Sequence, residues 1–495
     1  MTEPLLCELS QPGRQGVRFP EPDVPTTPLP GSLVRENLPL PEVYEADVIR
    51  HFTRLSQLNY SIDTGFYPLG SCTMKYNPKI NEETARLPGF AFIHPLQPAE
   101  TIQGALLLMY ELQEYLKEIG GFAGVTLQPA AGAQGELTGV LIIRAYHTSR
   151  GDVKRTKILI PDSAHGTNPA TSAMSGMSVV QLASDERGNI NLDALRRECD
   201  DTLAGLMITN PNTLGLFEEH IAEVIDIVHK AGGLVYGDGA NMNALLGIAR
   251  PGDLGIDVMH YNLHKTFSTP HGGGGPGSGP VGVARHLVDF LPAPIVDIVE
   301  DADDENPPLY GFVTPSKTIG RVKSFYGQFG MMVRAYTYIR MHGADGLRKI
   351  SEYAVLNANY LLARLRNTYN VPYDRGCMHE FVMEGCWPDA PNVHALDIAK
   401  RLMDYDFHPP TNYFPLIVHE ALMIEPTETE SKQTLDVFAD TLIKIAEEAR
   451  LDPEVLKTAP HKTPVGRLDE VKAAKELVLC CGVEYVDNSK ELAPA

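Results

Sequence analysis

The 495-residue chain has no apolar run near the ~20 residues that a bilayer-spanning helix needs, so no membrane association is expected. Its first residues, MTEPLLCELS, carry two glutamates and lack the basic stretch of a secretory signal. Cysteine is scarce: Cys7, Cys72, Cys199, Cys377, Cys386, Cys480 and Cys481 are odd in number and scattered. That spacing fits neither a zinc site nor a dense disulfide framework, and it points to a reducing, cytoplasmic setting. Positive charge is in deficit, with 42 Lys and Arg against 63 Asp and Glu, a formal net charge of −21. A surface of that sign repels nucleic acid and anionic lipid. What remains is ordinary globular material, 43% hydrophobic and 21% charged. That is enough to build a large core and to rule out a disordered chain. The length suggests about three units.

Residues 1 to about 45 are rich in proline, with seven prolines between Pro20 and Pro41. Proline removes backbone donors, so this stretch reads as an extended arm. Such an arm either wraps a partner subunit or is disordered; the apolar Phe19, Val24, Leu29, Leu33 and Val34 favour wrapping. From Ile102 to Ile119 apolar residues recur at steps of three and four, a helix that Gly120-Gly121 ends. The runs KILIP (157–161), SVVQL (178–182), GLMIT (205–209), GLVYG (233–237) and VMHYN (258–262) read as buried strands. Ile221, Val224, Ile225 and Val228 mark a helix between two of them. Alternating strands and helices predict a mostly parallel sheet covered on both faces. MHEFVM (378–383), HALDIAKRLMDY (394–405), ALMIE (421–425) and a long helix over about 430–449 suggest a smaller α+β domain. The expected organisation is an arm and active-site segment over 1–98, a large α/β domain over 99–340 and a small domain over 341–495.

Chemistry-bearing residues fall where these strands end. GLVYGDGAN delivers Asp238 and VMHYNLHK delivers Lys265. Ligands of open α/β sheets sit at the carboxyl ends of strands. A lysine there can form a Schiff base, and an aspartate there can hold a protonated pyridine nitrogen. Taken singly, each could also be a surface lysine or a helix cap. AAGAQGEL (130–137) places small residues before a helix N-terminus, which suits a phosphate or, equally, a tight turn. PDSAHGTNPA (161–170) sets His165 after a strand, to stack on a ring or to bond within its loop. NPNTLG (210–215) offers Thr213 in the same way, or a plain Asn-Pro turn. HGGGGPGSGP (271–280) formally contains G-x-G-x-x-G through Gly272, Gly274 and Gly277. A strand, VGVA, follows it instead of a helix, so it is no dinucleotide fingerprint. Those glycines would let backbone pass close to a cofactor or a neighbouring subunit.

Together, FYPLGSCTMKYNP, PDSAHGTNPA, GDGANMNAL and YNLHKTFSTPHGGGGPGSGPVGV resemble the pyridoxal-phosphate-binding half of two-subunit glycine dehydrogenases (decarboxylating), the P-protein family of the glycine cleavage system. The resemblance runs through the whole chain and includes its length. It implies the aspartate-aminotransferase-like fold, fold type I, and the cofactor pyridoxal 5′-phosphate. It also implies decarboxylation of glycine with transfer of the aminomethyl group to the lipoyl arm of a carrier H-protein. A homologous subunit 1 is the implied partner, two copies of each. Carried over by position, Lys265 matches the Schiff-base lysine, Asp238 the aspartate beneath the pyridine nitrogen and His165 the ring-stacking histidine. Ala133 and Gln134 match phosphate donors. Thr213, Ala240 and His264 complete the implied cofactor-binding set, and no metal is implied. Ser71, Cys72 and Thr73 lie in a segment that resembles one lining the active site, although a structural loop is equally consistent.

In aminotransferases of this fold an arginine near a late strand of the small domain binds the substrate carboxylate. Here that neighbourhood reads ALMIEPTE, with Glu425 and no arginine. A permanent clamp on the carboxylate would stabilise the ground state of a decarboxylation, so its absence fits. The alternatives are another fold type I enzyme, such as a desulfurase or a different decarboxylase, or a non-catalytic subunit. Cys377 and Cys386 flank an expected strand rather than a mobile loop, which argues against a desulfurase. The intact Lys265 and Asp238 argue against a non-catalytic chain. A basic cluster, Lys317, Arg321, Lys323 and Arg334, is the candidate docking patch for the carrier, or else a solvated turn whose charges pair with nearby acids.

Overall fold

The computed structural model describes residues 3–35, 40–271 and 277–477. They fall into two units, one within residues 1–64 and 458–495 and the other over residues 65–457. The first unit holds the Pro-rich arm. Phe19, Val24, Leu29 and Leu33 are exposed there, and a single 3-10 turn at Gly31–Leu33 interrupts the extended chain. Proline donates no backbone hydrogen bond, and among its described residues this stretch joins no ladder.

The second unit is built on seven strands: β1 (Gly124–Thr126), β2 (Lys157–Pro161), β3 (Ser178–Leu182), β4 (Leu203–Thr209), β5 (Leu234–Gly239), β6 (Val258–Tyr261) and β7 (Val281–Val283). Their order across the sheet is β1-β7-β6-β5-β4-β2-β3. β3, β2, β4, β5 and β6 run parallel, and β7 runs antiparallel to both neighbours. The runs KILIP, SVVQL, GLMIT, GLVYG and VMHYN each contribute one of these five parallel strands. β1 was not foreseen, because its three residues are too short to show a period.

Helices α1 (Gln103–Gly120), α2 (Gly132–Ser149) and α3 (Ile221–Lys230) cover the sheet. Alternate strand residues point to opposite faces. Leu206, Ile208 and Val235 pack with Leu112 and Leu116 of α1 and with Val224 and Val228 of α3. Met207, Tyr236 and Val258 pack on the other face with Val140 and Ile143 of α2. Burial on both faces explains why β4 and β5 read as continuous apolar runs. α1 stops where expected: Gly121 adopts φ 75°, a left-handed turn that glycine takes without steric cost.

A hairpin of β8 (Ile295–Glu300) and β9 (Leu309–Val313) follows the sheet. The long helix α4 (Phe329–Leu365), broken at Gly343, then contributes Met332 and Val333 to the large core and Leu361 and Leu362 to a second core. That second core lies against an antiparallel sheet of β10 (Phe381–Glu384), β11 (Thr411–Asn412) and β12 (Ala421–Ile424), in the order β10-β12-β11. Helices α5 (Ala395–Met403) and α6 (Lys432–Leu451) pack on it. Ser431 caps α6 by accepting the Thr434 N–H at 3.1 Å. Among the described residues no helix is long and apolar enough to cross a membrane.

Candidate active site

β4, β5 and β6 end side by side, and the residues just beyond them close a cleft of about 250 Å³. Ser71, Ala133, His165, Thr213, Asp238, Ala240, His264 and Lys265 all line it. Parallel strands deliver Asp238 and Lys265 to this edge, while Ser71, 194 positions before Lys265, reaches it from a separate segment.

Asp238 is the penultimate residue of β5 and is buried. Its Oδ1 accepts the Ala240 N–H at 2.9 Å and lies 3.4 Å from His260 Nε2; its Oδ2 accepts from Asn168 Nδ2 at 3.3 Å. Burial alone would raise its pKa. His260, Lys265, the Ala240 amide and Asn168 outweigh burial and hold the carboxyl below its usual range. The aspartate is thus charged at neutral pH. Lys265 follows β6, and its Nζ donates to the Ser71 carbonyl at 2.7 Å.

The N-terminus of α2 forms another wall. Its cap residue, Ala131, has no side chain to accept the first N–H groups, and Gly135 N is the first to bond back, to Ala131 O at 2.9 Å. The N–H groups of Gly132, Ala133 and Gln134 therefore have no partner within the helix. A Cβ on Gly132 would lie 2.6 Å from Asn262 Oδ1, so only glycine leaves the helix end open at this point. The side chain of Gln134 turns elsewhere: Oε1 accepts from Ala130 N at 2.7 Å and Nε2 donates to Val322 O at 2.5 Å. Only its backbone N–H is left for an anion.

The other expected residues take varied positions. His165 is exposed on the cleft wall, with Nδ1 2.9 Å from the Thr167 hydroxyl. Thr213 donates to Ser163 O at 2.5 Å, which leaves its lone pairs free. Burial, then His271 and Lys265, push the His264 pKa down to about 3, so the ring is neutral. His264 Nδ1 and Thr209 Oγ1 are buried, line the cleft and have no hydrogen-bond partner among the described residues. Cys72 Sγ lies 3.7 Å from His271 Nδ1, and burial raises its pKa, so it stays a thiol. Gly272 and Gly274 lie outside the described residues. Gly279 lies inside them, and a Cβ there would fall 2.2 Å from Ala131 O, so it packs against the cap of α2. In the basic cluster, Arg334 is taken up by Glu82 through two 2.7 Å bonds. Lys317 sits over the Phe290 ring and Arg321 over the Tyr326 ring.

Two residues of the site were not foreseen. Glu136, on the first turns of α2, is buried beside Asp238 and accepts from the Thr167 and Thr171 hydroxyls at 2.8 and 3.3 Å. Burial and then the Asp238 charge push its pKa up to about 8, so it keeps its proton. His260 is wholly buried in β6, with Nδ1 2.5 Å from the Tyr236 hydroxyl. The signal was a histidine inside the apolar run VMHYN. Glu136, Asp238 and His260 also bring metal-ligand-type atoms within 4.8 Å of one another.

Residues 350–461 match the family model "Glycine dehydrogenase, C-terminal domain". The chain is 59% identical over 485 residues to the probable glycine dehydrogenase (decarboxylating) subunit 2 of Caldanaerobacter subterraneus subsp. tengcongensis, covering 96% of this chain and 98% of that one. It is 56% identical over 500 residues to the protein of the same name from Chloroherpeton thalassium, covering 100% of both. Among solved structures it is similar to a glycine decarboxylase (P-protein) of the glycine cleavage system in inhibitor-bound form. That match has a TM-score of 0.72 at 20% identity, over 84% of this chain and 93% of that one. A glutamate decarboxylase from Lactobacillus brevis CGMCC 1306 superimposes with a TM-score of 0.63 at 14% identity, over 88% of this chain and 96% of that one. These structural likenesses establish the fold, type I.

Proposed function

Because this chain belongs to the family of glycine dehydrogenase (decarboxylating) subunit 2 and acts in glycine decarboxylation by the glycine cleavage system, we propose that the cleft lined by Asp238 and Lys265 is where pyridoxal 5′-phosphate and glycine meet. One observation carries this reading. A buried, ionised aspartate and a primary amine share a cleft with the uncapped N-terminus of an 18-residue helix. The donors fit the cofactor part by part. Lys265 offers the amine for its aldehyde carbon, and Asp238 offers the anion for its ring nitrogen. Gly132, Ala133 and Gln134 offer N–H groups and the positive helix end for its phosphate. Thr209 Oγ1 and His264 Nδ1 offer buried polar atoms that the protein does not itself satisfy. Thr213 and Ala240 complete the wall, and His165, which also lines the cleft, offers an imidazole face for the ring.

When bound, pyridoxal phosphate supplies the sink for the electron pair freed as the Cα–carboxylate bond breaks. Asp238, kept charged by its donors, would face the ring nitrogen and favour its protonated form, which deepens that sink. Glu136 remains neutral and leaves Asp238 as the charged member of the acid pair, a division of labour set by environment. Lys265 would supply the amine that holds the cofactor through its aldehyde carbon. Glu425 stands on the small sheet without an arginine, which leaves the departing carboxylate unclamped.

The family name, subunit 2, implies a companion subunit 1. Two copies of each, a lipoylated H-protein as acceptor and a cytoplasmic setting belong to the same proposal. In the transfer, the aminomethyl carbon bonds one lipoyl sulfur, the S–S bond breaks and the second sulfur leaves as a thiol. The test is borohydride reduction of the cofactor-loaded chain followed by intact-mass analysis, alongside glycine–bicarbonate exchange with the companion subunit and the carrier. Wild type should gain the phosphopyridoxyl mass and Lys265→Ala should not. An adduct that persists in Lys265→Ala would refute the assignment.

A further inference from the structure

The small sheet ends in a buried acidic pair directed at the segment that touches Lys265. β10 and β12 pair Phe381 with Ile424, so Glu380 and Glu425 fall opposite each other one step beyond the ladder. Both are fully buried. Like charges opposite each other on paired strands repel, and buried carboxylates need partners. His379 does not serve as one: its Nε2 lies 3.9 Å from each carboxyl, and neither ring nitrogen has a hydrogen-bond partner among the described residues.

What the two acids hold is a turn. Glu380 Oε2 accepts the Ser71 N–H at 2.6 Å, while its Oε1 accepts from Asn241 Nδ2 at 3.1 Å. Glu425 Oε1 accepts the Thr73 hydroxyl at 2.5 Å. Ser71 itself sits in the left-handed region, φ 60°, which costs energy in a non-glycine residue and persists only where surroundings enforce it. Its carbonyl is the acceptor for Lys265 Nζ at 2.7 Å. The residues before it are sewn to the same sheet. Glu425 N–H donates to Pro68 O at 3.2 Å, and the Thr411 hydroxyl donates to Gly70 O at 2.8 Å. A Cβ on Gly70 would lie 2.2 Å from Met423 Cγ, so the backbone is pressed onto β12.

We propose that Glu380 and Glu425 are positioning residues: they clamp the Ser71–Cys72–Thr73 turn so that the Ser71 carbonyl holds the Lys265 ammonium whenever that amine is off the cofactor. The proposal rests on the reading of Lys265 as the cofactor-binding amine. A lysine displaced by glycine must wait within reach and return in the same orientation. A neutral carbonyl at hydrogen-bond distance holds it less tightly than the ion pair a carboxylate would make. Burial raises the pKa of Glu380 to about 7, and burial and then Glu380 push that of Glu425 well above its usual range, so the pair retains a proton and repels less than two carboxylates would. The clamp uses the Ser71 backbone rather than its hydroxyl.

The test compares wild type, Glu380→Gln and Thr73→Val as full-length chains freed of cofactor. Each is exposed to limiting acetic anhydride, and Lys265 acetylation is read by peptide mass spectrometry against the exposed Lys154. Thr73→Val breaks the bond to Glu425 while leaving every charge in place. Thermal unfolding verifies that each variant is folded. With the clamp released, Lys265 should acetylate about tenfold faster in both variants, the scale of one lost hydrogen bond to a charged group. Reloaded with cofactor, both should show a lower kcat for glycine–bicarbonate exchange with little change in the KM for glycine. Acetylation unchanged in both variants would overturn the clamp. A response confined to Glu380→Gln would also overturn it, because charge alone would then suffice. Failure of wild-type Lys265 to take the borohydride adduct would strike the cofactor reading separately, since acetylation is read without cofactor.

Discussion

Replacing Asp238 with asparagine keeps its volume, removes one negative charge and turns one acceptor into a donor. Both carboxylate oxygens are in use, Oδ1 by the Ala240 N–H at 2.9 Å and Oδ2 by Asn168 Nδ2 at 3.3 Å. An amide accepts at only one of these places, and its NH2 must then face another donor. A buried polar group left unsatisfied in this way costs about 1–3 kcal/mol, so Asp238→Asn should lower the stability of the chain by that order. The effect on catalysis should be larger. Without the anion the ring nitrogen loses its charge partner, and removal of one preorganised electrostatic contact typically costs about 10²–10³-fold in rate. The two effects separate experimentally. Urea unfolding reads the first, and glycine–bicarbonate exchange at saturating cofactor, with companion subunit and lipoylated carrier present, reads the second. The two chains should also differ in acid. A carboxyl held below its usual pKa stabilises the folded state above the unfolded value, and that stabilisation is lost as pH falls through the folded value. Wild type should show that loss on the acid side and Asp238→Asn should not. Exchange within a few-fold of wild type would refute the role given to Asp238.

Three further outcomes follow from neighbouring residues. Glu136 has the opposite sign: its folded pKa of about 8 exceeds the ordinary 4.5, so its favourable contribution is complete below 4.5 and is lost as pH rises to about 8. Glu136→Gln, which mimics the protonated form, should therefore raise the urea midpoint relative to wild type more at pH 9 than at pH 5; an equal change at both would refute this. Gly132→Ala would set a Cβ 2.6 Å from Asn262 Oδ1 at the mouth of α2. It should raise the Kd for pyridoxal phosphate about tenfold, roughly 1.4 kcal/mol, and unchanged affinity in a titration would remove α2 from the phosphate site. Arg321→Glu combined with Lys323→Glu should raise the KM for lipoylated carrier and steepen its salt dependence. Exchange with free lipoic acid should be spared, and equal loss with both acceptors would discard the docking patch.

Local chemistry made much of this fold readable. KILIP and GLMIT are short, apolar and free of helix period, so they became β2 and part of β4 wherever the rest of the chain went. The face of α1 and its stop at Gly121 follow from spacing and from glycine's freedom at positive φ. The placement of Asp238 and Lys265 was legible for the same reason: one lies at the end of β5 and the other just beyond β6, and parallel strands share an edge. The Ser71–Glu380 bond joins residues 309 positions apart, and nothing local announces it. Gln134 looked like a donor by position, yet the loop carrying Val322 packs close enough to claim its side chain.

The sequence by itself determined which residue types reach the cleft edge and in what order. Only the tertiary structure decided their charge. Asp238 and Glu136 are both carboxylic acids buried near each other. One meets His260, Lys265, an amide N–H and Asn168, and stays ionised. The other meets burial and the first one's charge, which outweigh the Thr167 and Thr171 hydroxyls, and stays neutral. Ionisation depends on desolvation and neighbours, and both are properties of packing.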